Sequence, residues 1–133
     1  MINYPEKAVY TYDDLVDILR ILRAPGGCPW DREQTHESNR RNFLEEAYEA
    51  AEAFDLDDPE LMKEELGDVL FAAVKVGRFC GVDPEAALSK TCEKFIARFR
   101  KVEETVNARG EDISALPLDE LMALWNNAKE QLR

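Results

Sequence analysis

Hydrophobic residues recur every three or four positions along most of the chain, which is the period of an α-helix. Gly81 and Gly110 are placed as helix stops, whereas Asp58 before Pro59 and Asp83 before Pro84 are typical of helix starts. With Thr11 as a first cap, the helices are predicted over residues 12–23, 36–54, 59–80, 84–109 and 118–128. The pattern therefore predicts an all-α fold, an antiparallel bundle of about five helices.

The second predicted helix carries acidic residues along one side and apolar residues along the other. At roughly 100° per residue, the acidic arc contains Glu45, Glu46, Glu49 and Glu52. The opposite side, which we expect to be buried, contains Phe43, Ala47, Ala50, Ala51 and Phe54. Taken alone, such an acidic arc is most often a solvated helix face.

Glu65 changes this interpretation, because it projects into an apolar stripe of the third predicted helix, with Asp68 three residues on. Desolvating an ionised carboxylate costs several kcal/mol, so Glu65 needs a cation, a metal or a proton. The short connection makes the two helices antiparallel neighbours. Four inward carboxylates could then meet, namely Glu46, Glu49, Glu65 and Asp68. Ligation by oxygen alone favours Mg²⁺ or Mn²⁺ over zinc or iron.

Length and charge limit the alternatives. We expect one domain over residues 1–133, with the motifs within 11–131. The net charge of −11 argues against a broad surface for nucleic acid or for an anionic membrane. Cys28, Cys80 and Cys92 fit a reducing compartment, and two of them occupy apolar helical positions predicted to lie in the core. Without a signal pattern or an apolar run near 18 residues, we expect a cytoplasmic protein.

Basic and aromatic residues are the other candidates. A basic stripe on the fourth predicted helix contains Lys90, Lys94, Arg98 and Lys101. It could pair with neighbouring acidic helices, remain solvated, or bind phosphates close to the metal. Trp30 lies in the helix-breaking segment 24–34 and could be a core plug or the wall of a ligand pocket. The helical pattern places Trp125 in the core.

The chain resembles the MazG-type, all-α nucleoside triphosphate pyrophosphohydrolases across roughly residues 11–131. The segments that carry the resemblance are GGCPWDREQTH (26–36), LEEAYEAAEA (44–53), EELGDVLF (64–71), KFIARFRKVE (94–103) and LDELMALWNNAK (118–129). Many members of this family carry two such domains, whereas this chain has one copy.

The resemblance implies specific roles for the candidate residues. The magnesium ligands would be Glu46, Glu49, Glu65 and Asp68, with Mn²⁺ as a possible substitute. Glu45 would orient or deprotonate the attacking water beside Glu46. The substrate-binding residues would be Lys94 and Arg98 on the phosphates, with Trp125 and Lys129 toward the nucleotide. Trp30 would join them if it is a pocket wall, as its loop position allows. The implied reaction cleaves a ribo- or deoxyribonucleoside triphosphate between the α and β phosphates, as in house-cleaning of nucleotide pools.

Several alternatives stay open at this point. A related enzyme of narrow specificity would act on phosphoribosyl-ATP, dCTP or dUTP. A non-enzymatic acidic helical module would instead bind a partner, with Glu65 paired to a lysine or arginine. A cation buffer is disfavoured because the sequence contains no EF-hand loop. Wide apolar stripes, together with the resemblance, predict a homodimer or a higher homo-oligomer.

Overall fold

The computed structural model describes residues 2–133, which form helices and connecting segments without a strand. The helices are α1 (Tyr12–Arg23), α2 (Pro29–Arg32), α3 (His36–Asp55), α4 (Pro59–Phe79), α5 (Pro84–Ala108) and α6 (Leu118–Gln131). A 3₁₀ turn, Ile113–Ala115, precedes α6. α2 is a single turn inside the segment predicted to break helix, and Pro29 starts it because proline suits a first helical position.

Local capping chemistry sets most helix boundaries. The Thr11 hydroxyl accepts a hydrogen bond from the backbone N–H of Asp14, and the Asp14 side chain accepts one from the backbone N–H of Thr11. Asp58 accepts from the N–H groups of Glu60 and Leu61 and is followed by Pro59. Gly81, just beyond α4, has a φ of 70°, a conformation that favours glycine. The predicted starts at Thr11 and Asp58 and the stop at Gly81 are therefore confirmed.

The described chain forms two compact units, Met1–Pro84 and Glu85–Arg133. In the first unit α3 packs along α4, and α1 contacts both α2 and α4. In the second unit α5 and α6 share a small core of Val102, Val106, Leu124 and Ala128. The single domain predicted from length stays a prediction.

The predicted burial of the apolar side of α3 is wrong. Asn39 and Ala53 are buried, and Glu46 on the same side is half-buried. The face expected to be buried is mostly exposed, with Phe54 at 74% exposure and Ala50 alone half-buried. α4 packs against the side of α3 that carries Glu46. The helix thus turns part of its acidic arc toward its neighbour and leaves larger apolar side chains outside.

Two further observations concern the chain as a whole. Cys80 and Cys92 are exposed, so their predicted place in the core is wrong. Cys80 is the C-terminal cap of α4, and Cys92 lies on a stripe of α5 whose Leu88 and Phe95 are also exposed. Across residues 2–133, no helix combines the length and apolar character needed to span a membrane.

Candidate metal centre and nucleotide-binding residues

Three carboxylates from α3 and α4 meet where these helices pack together. One oxygen from each of Glu46, Glu49 and Glu65 lies within 4.8 Å of the others. Glu46 and Glu49 are three residues apart on one side of α3, and Glu65 faces them from α4. Asp68 is outside this group of three but acts electrostatically on Glu65. Glu45 is exposed and also lies outside the group.

Glu65 is held in unfavourable surroundings for a negative charge. Burial, followed by the charges of Glu49, Asp68, Glu64 and Glu46, raises the pKa of Glu65 above its usual range. Its Oε2 atom is buried without a hydrogen-bond partner, as is Oε2 of Glu46. Within residues 2–133, Glu65 forms no ion pair with a lysine or arginine. The unpaired carboxylate oxygens therefore fit a hard divalent cation such as Mg²⁺.

The other oxygen of Glu46 has a defined partner. The Asn42 side-chain nitrogen donates to Oε1 of Glu46 at 3.2 Å. Lys75 Nζ in turn donates to Oδ1 of Asn42 at 3.5 Å and lies 5.3 Å from the ring centroid of Trp30. The spacing of four residues between Asn42 and Glu46 was readable from sequence. The contact of Lys75 with Asn42 spans 33 residues and carries no such signal.

The segment that carries Trp30 is fixed to the end of α1. The backbone N–H of Cys28 donates to the carbonyl of Leu22 at 2.8 Å. A Cβ atom at Gly27 would collide with the carbonyl oxygens of Leu22 and Ile21, so this close approach requires glycine. Trp30 itself is 63% exposed, which contradicts the core-plug interpretation. Its role as a pocket wall stays a prediction.

In the second unit, Arg98 and Lys129 line one cavity of about 340 Å³. Sequence reasoning missed its other lining residues, Asn126, Asn127, Glu130 and Arg133. Their spacing of three and four residues was the available signal, because it places them on one side of α6 and its end. The Nε atom of Arg98 is buried without a hydrogen-bond partner. This cavity has the positive charge and amide donors that suit an anion.

The remaining basic and aromatic candidates have different surroundings. Lys94 is exposed and does not line this cavity, and Lys101 pairs with Glu104 at 3.9 Å. Trp125 packs against the core of the second unit, with its ring centroid 5.2 Å from that of Phe95. Both rings border an apolar cavity of about 370 Å³. Partial burial agrees with the core position predicted for Trp125, and its contact with a nucleotide stays a prediction.

A family model described as the MazG nucleotide pyrophosphohydrolase domain matches residues 34–103. The chain belongs to this family. The matched region contains all four predicted magnesium ligands together with Lys94 and Arg98, whereas Trp30, Trp125 and Lys129 lie outside it.

Named relatives and a solved structure agree with this assignment. The chain is 49% identical over 69 residues to the nucleoside triphosphate pyrophosphohydrolase/pyrophosphatase MazG of Thermotoga maritima, covering 52% of this chain and 27% of that protein. It is 42% identical over 84 residues to the nucleoside triphosphate pyrophosphohydrolase of Escherichia coli (strain K12), covering 63% of this chain and 31% of the relative. It therefore spans roughly a quarter to a third of the length of these relatives. The crystal structure of a mazG-related protein from Thermotoga maritima matches with a TM-score of 0.63 and 28% identity, over 89% of this chain and 98% of that one.

Proposed function

We propose that this protein is a magnesium-dependent nucleoside triphosphate pyrophosphohydrolase. It would cleave ribo- or deoxyribonucleoside triphosphates between the α and β phosphates, giving the monophosphate and pyrophosphate. The observation that carries the proposal is the meeting of Glu46, Glu49 and Glu65, in which Glu46 and Glu65 each have a buried oxygen without a hydrogen-bond donor. Membership of the MazG family, and the names of the relatives, supply the reaction.

The carboxylates have two proposed tasks. Glu46, Glu49, Glu65 and Asp68 hold Mg²⁺, for which Mn²⁺ can substitute. When bound, the ion supplies positive charge that offsets the charge developing on phosphoryl oxygens. Glu45, the exposed neighbour of Glu46, accepts a proton from the attacking water. Glu46 acts beside it by keeping the ion in place.

Basic side chains of α5 and α6 are assigned to the polyphosphate. Arg98 is suited to this because a guanidinium can grip two phosphate oxygens, and its buried Nε lacks a partner in the protein. Lys129 lines the same cavity, and Lys94 lies one helical turn before Arg98. Trp125 and Trp30 are the aromatic residues that we assign to the nucleotide.

The assembly proposed for this enzyme is a homodimer or a higher homo-oligomer in the cytoplasm. Its support is the exposed apolar residues of α3 and α4, among them Leu44, Tyr48, Leu66 and Leu70. Leu44 and Tyr48 are four residues apart on α3, as are Leu66 and Leu70 on α4, so each pair forms one exposed patch on its helix. A second copy of the chain would cover these patches. We assign no nucleic-acid or membrane partner.

The experiment is release of pyrophosphate from ribo- and deoxyribonucleoside triphosphates with and without Mg²⁺. Glu49→Gln should abolish turnover while leaving a helical, folded protein, because it removes one ligand charge from an exposed position. Wild-type turnover in this variant would rule out the ligand assignment. A substrate panel also separates the enzymes specific for phosphoribosyl-ATP, dCTP or dUTP. Thermal stabilisation by Mg²⁺ would count against a non-enzymatic module.

A further inference from the structure

We infer that Lys75, acting through Asn42, is a positioning residue for the candidate metal ligand Glu46. The contact series runs from the ammonium of Lys75 on α4 to the amide of Asn42 and then to the carboxylate of Glu46, both on α3. The same ammonium lies over the ring of Trp30. This inference rests on the proposed magnesium site and gives roles to Lys75 and Asn42, to which neither the sequence patterns nor the resemblance assigned one.

The two neighbours of Asn42 specify one orientation of its amide. An ammonium group can only donate hydrogen bonds, so Lys75 requires the Oδ1 side of the amide. An ionised carboxylate can only accept, so Glu46 requires the NH₂ side. The structure satisfies both requirements, with distances of 3.5 Å to Lys75 and 3.2 Å to Glu46. Without Lys75, water could take its place and the amide would be free to turn over.

The orientation of the Asn42 amide determines how the two carboxylate oxygens of Glu46 are used. Its Oε1 is held by Asn42, and its Oε2 is buried without a donor. One oxygen is thus fixed by the protein while the other is left for a cation. Partners that orient a metal ligand in this way typically contribute 10- to 100-fold to metal affinity.

Trp30 joins this contact series from a different part of the chain. Its ring centroid lies 5.3 Å from Lys75 Nζ, a distance at which a cation is attracted to an aromatic face. The segment before it is hydrogen-bonded to the end of α1 through Cys28 and Leu22. Lys75 is therefore held from two sides, by the ring and by the amide, and its ammonium has little freedom to leave Asn42.

A purely electrostatic role for Lys75 predicts the opposite sign. A positive charge close to a cation site repels the incoming ion, so its removal alone should strengthen Mg²⁺ binding. If Lys75 acts by positioning Glu46, its removal should weaken Mg²⁺ binding. The direction of the change therefore separates the two effects.

The test is calorimetric titration of the chelator-treated full chain with Mg²⁺, accompanied by thermal unfolding. Lys75→Met should weaken Mg²⁺ binding about 10- to 100-fold, and Asn42→Leu should do the same. Lys75→Arg should restore part of the affinity, because it still offers a donor to Asn42. Lys63→Met is the matched control: it removes the same charge from an exposed position on α4 and should not weaken binding. Trp30, the only tryptophan left in a Trp125→Phe background, should report the same midpoints by fluorescence.

The possible results distinguish the positioning role of Lys75 from the proposed magnesium site on which it rests. Unaltered or tighter binding by Lys75→Met, beside a wild type that binds Mg²⁺, would overturn the positioning role and leave the metal site standing. No Mg²⁺ binding by the wild type would overturn both. If Lys75→Met does not fold, Asn42→Leu decides, because it keeps the charge: about tenfold weaker binding supports the inference, and unaltered binding overturns it.

Discussion

Glu65 is the residue at which the folded chain carries an electrostatic cost. Its pKa is raised by burial and by neighbouring carboxylates, so folding favours its protonated form. Relative to an uncharged side chain, Glu65 costs nothing below its ordinary pKa near 4.5, where both states are protonated. The cost grows as the pH rises above that value and is complete once the pH exceeds the raised pKa, where Glu65 is ionised in both states. In the proposed enzyme, a bound cation removes this cost.

We therefore expect Glu65→Gln to raise the melting temperature at neutral pH in the presence of a chelator. The gain should vanish at about pH 4, because wild-type Glu65 is then protonated in both states. Mg²⁺ should stabilise the wild type and have little effect on the variant. Thermal unfolding followed by circular dichroism at both pH values measures this. An equal gain in melting temperature at both pH values would show that the charge of Glu65 is not the cause of the gain.

Arg98 separates an enzyme that acts on polyphosphates from a protein that only binds metal. If its guanidinium contacts the triphosphate, Arg98→Ala should lose about 1.5 to 3 kcal/mol of binding, roughly tenfold to a hundredfold in KM or turnover. Arg100→Ala, an exposed position on the same helix, is the matched control. Mg²⁺ affinity without nucleotide should barely change in either variant. Lower thermal stability with unaltered kinetics in Arg98→Ala would assign it a structural role.

At the residue scale, sequence spacing identified the carboxylates but not the groups that hold them. Glu46, Glu49 and Glu65 follow from helical periodicity together with one charge in an apolar stripe. Lys75 could not be found in this way, because its partner lies 33 residues away and on another helix. Local spacing predicts which residues share a face, whereas contacts between helices depend on how the helices pack.

The elements themselves were largely readable, because local chemistry sets their ends. Capping by Thr11 and Asp58 and the glycine stop at Gly81 need only neighbouring residues. For α3 the sequence predicted two things: carboxylates that meet Glu65 of α4, and a buried apolar side. Glu46 and Glu49 do meet Glu65, whereas the apolar side is mostly exposed. The apolar side of α3 that the pattern predicted to be buried is therefore mostly exposed to solvent in this chain.

Gly27 offers a test of how the Trp30 segment is attached to α1. Gly27→Ala should destabilise the protein by about 1 to 3 kcal/mol, because the new Cβ would collide with the carbonyl oxygens of Leu22 and Ile21. Gly67→Ala is the matched control. Gly67 lies inside α4 with open space around it, so alanine there should stabilise the helix by about 0.5 to 1 kcal/mol. Denaturant unfolding should thus give opposite signs, and equal stability of both variants would contradict this account.

At the scale of the whole molecule, the exposed apolar patches of α3 and α4 predict self-association. Light scattering at micromolar concentration should give a mass well above the 15.2 kDa of one chain. Leu44→Lys, which places a charge on the α3 patch, should reduce that mass toward a single chain while keeping the helical content. A wild-type mass near 15.2 kDa would remove the dimer from the proposal.

The all-α class was predictable because every long segment has a helical period and no alternating pattern competes with it. The division of the described chain into two compact units could not be predicted from sequence. The boundary falls at the first residue of α5, and the sequence there shows only the start of a helix, with no linker. Composition cannot show which patches a second chain covers. Base and sugar preference could not be predicted from sequence either, because they depend on pocket shape rather than on residue type.

The most direct test of the central claim is to identify the products formed from nucleoside triphosphates in the presence of Mg²⁺. We predict equal amounts of nucleoside monophosphate and pyrophosphate, separated by anion-exchange chromatography, and none of this turnover in Glu49→Gln or without a divalent cation. Formation of nucleoside diphosphate and inorganic phosphate, or the absence of Mg²⁺-dependent turnover on every ribo- and deoxyribonucleotide tested, would contradict the account.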